Sequence, residues 1–405
     1  MHCGGSRRSG LARAYFTWYE VIMLEKALSG SRLYWSWMLL LALAAAGGFA
    51  CYLVQLRDGL VVTGMGREVS WGLYIGQFTF FVGVAASAVT VVLPYYLHDH
   101  RVFGPITILG EFLAISAVVM CLAFIFADMG QPFRILNVFL HPSPASPMFW
   151  DTVALSGYLI LNLLIGWATL GAERKRMPPP RWVKPLIYLS IPWAISIHTV
   201  TAFIYAGLPD RHLWLSAIMA VRFLASAFAS GPALLLLLCA AVGRFTSFRP
   251  GREPRAALSV IIAYAFSAHV FFLLLEFFTA YYSGVPAYRH SLGDLFFGAE
   301  GGAGFMPLMA VSVSCAAIAL VLLLVPRLRK KDGTMMAAAV LVFVSIIIEK
   351  GIAFVPAGFN PAPSGALASY APTLPELAIS AGIWAVGLIV LSGLFKITVS
   401  VREEA

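Results

Sequence analysis

The chain predicts an all-α, polytopic membrane protein with ten transmembrane helices. Three observations carry that fold class. Hydrophobic residues make up 60% of the 405 and charged residues only 12%, too few for the surface of a soluble chain of this size. Apolar runs of about twenty residues, enough to cross a ~30 Å hydrocarbon core, recur ten times along the sequence. Lysine and arginine gather in every second loop. The alternating pattern of barrel strands is absent, so helices, which satisfy their own backbone, are the remaining way to span.

The first run, near 35–55, follows a basic leader containing Arg7, Arg8 and Arg13. It begins too late and runs too long for a cleavable signal; Met23 offers an alternative start. Runs near 72–97, 106–127, 149–170 and 184–206 give helices two to five. Runs near 213–241, 257–280, 306–325, 334–355 and 377–400 give helices six to ten. With these boundaries, 21 of the 28 basic residues fall on one side and five on the other, with Arg222 and Lys350 inside helices. The positive-inside rule then puts both termini in the cytoplasm, and the expected location is the cell's inner membrane. The net charge of +9 is thus a topology signal in short loops and gives no surface for nucleic acid.

Three outer loops stand out. Residues 128–148 carry Pro132, Pro142, Pro144 and Pro147, residues 356–376 carry five prolines, and 281–305 holds Tyr281, Tyr282, Gly301, Gly302 and Gly304. Long loops of this kind often bind something, so a partner is expected on the outer face. The five cysteines are scattered and form no metal-binding pair. No metal site, and no iron–sulfur cluster of the chain's own, is expected.

Polar side chains within the spans concentrate in the outer half. By the 1.5 Å rise per residue, His198 lies about 12 Å deep and Arg222, counted from Leu213, about 13 Å. His269 and Glu276 are seven apart and share a helix face. Glu349 and Lys350 fall in the outer third of helix nine; Tyr74 and Gln77 open helix two; Asp128 and Asp151 sit at the rim. Glu111 alone lies toward the cytoplasmic end, as a rim residue or as the inner mouth of a proton path. An isolated arginine at such depth costs about 3 kcal/mol, so a carboxylate partner or polar cavity is expected for Arg222.

Three chemistries suit this set. A quinol headgroup needs proton acceptors and a donor for its carbonyl form, which His198, Asp128, Arg222 and Gln77 could supply, with Tyr74 and Asp151 nearby and Trp150, Phe203 and Tyr205 flanking the ring. A bis-histidine haem would need His198 and His269 face to face. A transporter would need matched broken helices, for which Pro192 and Gly231-Pro232 are the candidates.

The segment Asp128-x-Gly130-x-Pro132-x-Arg134 closing one helix, followed by Ser146-Pro147-Met148 opening the next, resembles the NrfD/PsrC family of polysulfide-reductase-like membrane subunits. Val69-Ser70-Trp71-Gly72, Leu93-Pro94-Tyr95-Tyr96 and the stretch from Ile191-Pro192-Trp193 to Gly207 resemble the branch of that family found in DsrMKJOP complexes of dissimilatory sulfur metabolism, the DsrP-like subunits. The resemblance implies two four-helix bundles, helices 2–5 and 6–9, with helices 1 and 10 peripheral. The chain then divides into a cytoplasmic segment 1–34, a first half 35–206 and a second half 207–405. It further implies menaquinone or menaquinol as substrate, with no covalent or metal-held cofactor. The implied partners are a periplasmic, ferredoxin-like (DsrO-like) iron–sulfur subunit, a triheme cytochrome, a haem-b membrane subunit and a cytoplasmic heterodisulfide-reductase-like subunit. On this reading Pro132, Arg134 and Pro147 form the docking face. His269, Glu276, Glu349, Lys350 and Glu111 make a possible proton path. A membrane anchor without its own quinone site, or an ion- or proton-conducting transporter, is the alternative.

Overall fold

The computed structural model describes residues 25–404 apart from 209, 247, 299–303 and 361–368. The leader with Met23, Gly301 and Gly302, and Pro361 and Pro363 of the last proline-rich loop lie outside the described residues. Among the described residues, ten helices are long and apolar enough to cross a membrane: α1 (Arg32–Asp58), α2 (Leu73–Leu97), α3 (Arg101–Asp128), α4 (Pro147–Arg174), α5 (Val183–Ala206), α6 (Met219–Phe245), α7 (Arg252–Tyr282), α8 (Met306–Leu324), α9 (Asp332–Ala357) and α10 (Leu374–Glu403). No strand occurs among the described residues. The even count returns the chain to its starting face; the opposite one is called the distal face below.

Local chemistry sets the helix ends. Ser31 caps α1 by accepting from the Tyr34 amide at 3.3 Å, and Gly59, at φ +82°, ends it in a conformation that a side chain would resist. Pro147 occupies the first position of α4, where its missing N–H costs nothing.

Helices α2, α3, α4 and α5 close a ring of neighbouring contacts, and α6, α7, α8 and α9 close a second. The rings meet through α2 against α6 and α9, and α5 against α6. α1 and α10 pack on each other, and α10 also lies along α3. The α1–α10 crossing depends on small residues. A Cβ added to Gly48 would lie 2.6 Å from the Gly382 Cα. Gly48→Leu is therefore expected to force the pair apart at a cost of about 1–3 kcal/mol, read as a lowered thermal midpoint in detergent. An unchanged midpoint would contradict the close crossing.

Two helix boundaries differ from the sequence reading for identifiable reasons. α6 begins at Met219, not 213. Leu213 and Trp214 are apolar because they are buried in the preceding turns, where Trp214 packs against Tyr205 and Phe359. Apolarity alone cannot tell a packed turn from a helix. Arg222 consequently lies one turn into α6 and closer to the distal rim than the count from Leu213 implies. The 281–305 segment, expected as a loop, contains a helix over Pro286–Phe297. Its Ser291 hydroxyl donates to the Asn360 carbonyl at 2.7 Å, tying it over the distal end of the second ring.

α9 is not a uniform α-helix. Residues Ile347–Ala353 form a π-helical turn, a geometry that loosens the regular ladder and is frequent at functional sites. The Gln77 amide donates to the Gly351 carbonyl at 2.8 Å, and its oxygen accepts from Trp384 Nε1 at 2.9 Å. Gln77 thus ties α2 to the π turn and to α10.

Candidate functional site

Two buried features share the distal half. The first is a cavity of about 690 Å³ lined by α1, α2, α3, α4, α5, α10 and the loop after α3. Its wall is mainly apolar, with Phe49, Phe78, Phe126, Phe139, Leu155 and Ile383 among the lining residues. Its polar points are few: Asp128 closing α3, Asp151 one turn into α4, Thr152, Ser156, Tyr52, Tyr205 and Trp71. The Asp128 Oδ1 is buried without a hydrogen-bond partner, and so is the Tyr52 hydroxyl. Asp151 is 3% exposed and accepts from Thr201 Oγ1 at 2.6 Å. Tyr205 shares its hydroxyl with Thr79 on α2.

A brace behind the cavity holds Asp128 in place. The Tyr74 hydroxyl donates to Gln55 Oε1 at 2.8 Å, and Gln55 Nε2 donates to the Ala127 carbonyl at 2.6 Å. α1, α2 and the end of α3 are thereby fixed to one another, and Tyr74 supports the wall without lining it. Nearby, Glu376 at the start of α10 accepts from the Gly64 and Leu73 amides at 3.0 and 3.2 Å and from the Tyr370 hydroxyl. Its carboxyl group sits at the positive end of α2. Burial and the Glu376 carboxylate raise the Tyr370 pKa, so the phenol keeps its proton.

The second feature is a charged knot in the second ring. Arg222 on α6 pairs with both Glu276 on α7 and Glu349 on the π turn of α9. His269 Nε2 lies 3.0 Å from the second Glu349 oxygen. Lys350 points the other way, donating to the Phe223 carbonyl at 3.3 Å with its ammonium 3.6 Å from the centre of that ring. The π turn thus gives two successive charges, Glu349 and Lys350, to different neighbours. All five residues are buried; Arg222, Glu276, Glu349 and His269 offset that cost by pairing, and Lys350 by the Phe223 carbonyl and ring.

Phe223 stands between the two features. Its ring lies 6.0 Å from that of Tyr205 and 5.5 Å from that of His198. His198 is fully buried with both ring nitrogens unpartnered. Thr201, which bonds Asp151, is one turn further along α5. Thr201, on Asp151, and His198, on the Phe223 ring, thus lie between the cavity carboxylate and the ring that Lys350 meets.

The sequence-derived set separates accordingly. Asp128 and Asp151 line the cavity; Tyr74 braces it; Gln77 and His198 are not among its lining residues. Arg222 belongs with Glu276, Glu349, His269 and Lys350, and the expected carboxylate partner is in fact two. Glu111 is 2% exposed and does not reach the interface as a rim residue would; both of its oxygens lack partners. Pro132 is buried, while Arg134 and Pro147 are exposed on the distal face beside the cavity. Gln55, Thr201 and Glu376 are additions that sequence reasoning missed. Gln55 and Glu376 fall at the ends of runs, where polar residues are ordinary, and threonine gives no signal of its own.

The alternative chemistries fit less well. A bis-histidine haem needs both imidazoles aimed at one iron, yet His269 turns Nε2 to Glu349 and stacks on Phe266, while His198 packs on Phe223. α5 and α6 continue as helices through Pro192 and Pro232, so neither is a broken helix of the kind a transporter site uses. Among the described residues, no group of three His, Cys, Asp or Glu side chains is arranged to hold a metal ion.

Comparison with known proteins gives a consistent set. The profile described as "Polysulphide reductase, NrfD" matches residues 61–356. A putative dimethyl sulfoxide reductase membrane subunit from Halobacterium salinarum is 30% identical, over 88% of this chain and 90% of that protein. A selenate reductase subunit from Mesobacillus selenatarsenatis is 23% identical over 88% of this chain and 91% of its own length. An Hdr-like menaquinol oxidoreductase integral membrane subunit from Archaeoglobus fulgidus is 23% identical over 63% of this chain and 62% of its own.

Proposed function

Because the chain belongs to the polysulphide reductase NrfD family, we propose that it is the quinol-handling membrane subunit of an oxidoreductase complex. Menaquinol binds in the distal cavity and is oxidised there, or the quinone is reduced in the reverse direction. The observation that carries this reading is the pairing of an apolar cavity of about 690 Å³ with two carboxylates, Asp128 and Asp151, at its polar end. Ligand pockets are commonly apolar with a few convergent polar groups, and this size suits a ring with the start of an isoprenoid tail.

Oxidation of a quinol releases two electrons and two protons. Asp128 and Asp151 accept the protons; His198 receives one onward from the Thr201 side, and His269, Glu276, Glu349 and Lys350 continue a proton path through the second ring. Arg222 holds that path's carboxylates, and Gln77 the π turn. The electrons leave to an iron–sulfur subunit docked at the distal, periplasmic face on the Pro132, Arg134 and Pro147 segment. Both termini are then cytoplasmic, in the inner membrane.

The finer assignment is to a DsrP-like role in dissimilatory sulfur metabolism. Its partners are a DsrO-like iron–sulfur subunit, a triheme cytochrome, a haem-b membrane subunit and a heterodisulfide-reductase-like subunit. The Archaeoglobus relative, an Hdr-like menaquinol oxidoreductase subunit, supports menaquinol. The dimethyl sulfoxide and selenate reductase relatives widen the range of acceptors, so the sulfur assignment rests on the sequence resemblance.

The test is binding of a fluorescent quinol analogue such as HQNO to the assembled complex. Saturable quenching is expected. Ala123→Trp, which fills the cavity wall, is expected to weaken binding at least about tenfold, equivalent to about 1.4 kcal/mol. His198→Ala, behind the wall, is expected to bind the analogue normally and to oxidise quinol more slowly. Absence of saturable binding in folded complex would reduce the chain to a membrane anchor.

A further inference from the structure

The polar residues of α4 do not stop at the cavity. Tyr158, Asn162, Thr169 and Glu173 follow Asp151 by 7, 11, 18 and 22 residues. Those offsets are close to whole turns of a 3.6-residue helix, so all five share one face. At 1.5 Å per residue the stripe runs about 33 Å, from the cavity to the face that carries the termini. That face of α4 is turned inward: the first four residues are buried, and Glu173 is half-buried at the far end, where Arg402 lies 3.2 Å away. Four buried polar residues in line down an otherwise apolar core are costly unless they are used.

Glu111 on α3 faces this stripe. A Cβ added to Gly166 would lie 3.4 Å from Glu111 Oε2, so the carboxyl sits beside α4 between Asn162 and Thr169. It fills the longer of the two lower intervals, beside the Phe112 ring, which a Cβ added to Gly166 would meet at 2.8 Å. Thr169 meets the Tyr96 side chain, and the Glu111 oxygens are buried without partners. Tyr96, Tyr158 and Glu173 are its electrostatic neighbours. Among the described residues no cation pairs with this carboxyl, in contrast with Glu276 and Glu349. At the upper end, Leu155 and Ser156 still line the cavity, which brings it to within one turn of Tyr158.

We infer that Glu111 and the α4 stripe form a proton-conducting path joining the distal cavity to the face of the termini, with Glu111 as its exchangeable carboxyl. This inference rests on the proposed quinol site only for the use made of the protons. A proton leaving Asp151 passes by the Tyr158 hydroxyl and bridging water to Glu111, then by the Thr169 hydroxyl to Glu173; Asn162, whose Nδ2 donates to the Tyr158 carbonyl at 2.8 Å, orients the water through its amide oxygen and carries no proton itself. Each hydroxyl, water and carboxyl takes up one proton and gives one on, so none is changed once the transfer is complete. When the quinone is instead reduced, the same path draws protons from the opposite side of the membrane to the headgroup.

Infrared spectroscopy of the complex in lipid nanodiscs reads the path without quinol. A protonated carboxyl band that disappears in Glu111→Gln is expected, and it is expected to shift on transfer to D2O at least about tenfold faster in the parent than in Asn162→Leu. In proteoliposomes with an entrapped pH dye, Glu111→Gln is expected to slow quinol turnover at least about tenfold while leaving analogue binding intact. A Glu111 band absent from the parent, or exchange as fast in Asn162→Leu as in the parent, would overturn the path. A parent that exchanges as expected but binds no quinol analogue would uphold the path and remove the quinol reading.

Discussion

Replacing Arg222 by methionine is expected to lower the stability of the assembled protein by about 3–5 kcal/mol, the cost of stranding buried charge. Two carboxylates depend on this one guanidinium: Glu276 on α7 and Glu349 on α9. With Arg222 gone, His269 remains beside Glu349 and Lys350 stays committed to Phe223, so Glu276 is the acid left stranded. The protein would have to protonate Glu276 or admit water, and either loosens the contact of α6 with α7 and α9. Arg222→Lys supplies the charge but not the fork that spans two acids, so an intermediate loss is expected. The triple change Arg222→Met, Glu276→Gln, Glu349→Gln removes charge from both sides and is expected to recover most of the stability. Thermal unfolding in detergent, followed by size-exclusion fluorescence, ranks the four proteins. Equal midpoints for parent and Arg222→Met would show that the knot is not ion-paired as described.

How much of this can be read from the residues follows from what apolarity encodes. Each span is visible in the sequence because twenty apolar residues in a row have few other uses, and the ends of α5 and α10 lie within a few positions of the apolar runs. The start of α6 is misplaced by that criterion because Leu213 and Trp214 are as apolar as lipid-facing residues although they pack in a turn. For the site, charge at depth is visible, and the need of Arg222 for acids follows from its insertion cost. Which acids it meets is not. Depth places residues along the membrane normal, but rotation about each helix and the order of helices around a ring decide neighbours. His198 and Arg222 therefore look like partners by depth, yet His198 packs on Phe223 while Arg222 pairs with Glu276 and Glu349. Gln77 looks like a ligand because a buried amide is unusual, and its two ends prove to be engaged by Gly351 and Trp384. The π turn has no sequence signature beyond Glu349-Lys350-Gly351, two opposite charges that a regular helix would aim about 100° apart.

The cavity carboxylates divide by environment, and that division predicts a rate effect larger than any binding effect. Asp151 is buried and receives Thr201, whose single hydroxyl hydrogen also has the Ile197 carbonyl within 2.8 Å. Thr201 can therefore turn from Asp151 to Ile197 when the carboxylate takes a proton, leaving no stranded donor. Asp128 has a buried oxygen without any partner, a poorer place to hold charge before substrate arrives. On the proposed function, Asp151 is accordingly expected to be the first proton acceptor and Asp128 the residue that meets the second hydroxyl. Asparagine at 151 preserves shape and can still meet Thr201, but it cannot take a proton. Loss of a positioned general base typically costs about 10²–10⁴ in rate. Asp151→Asn is thus expected to lower kcat for quinol oxidation by about 10²-fold or more, with KM and analogue binding changed less than about threefold. That split marks an interaction made during reaction and not in the resting complex. Asp128→Asn is expected to give a smaller loss of kcat with a visible change in KM, since Asp128 stands open to the bound headgroup. Thr201→Val should raise neither acceptor's efficiency and slow turnover modestly, because Asp151 then loses its adjustable donor. Steady-state oxidation of a soluble menaquinol analogue by the complex, with an artificial electron acceptor, measures all three. Full kcat in Asp151→Asn would move the proton acceptor out of α4 and leave the cavity as a binding pocket served from elsewhere.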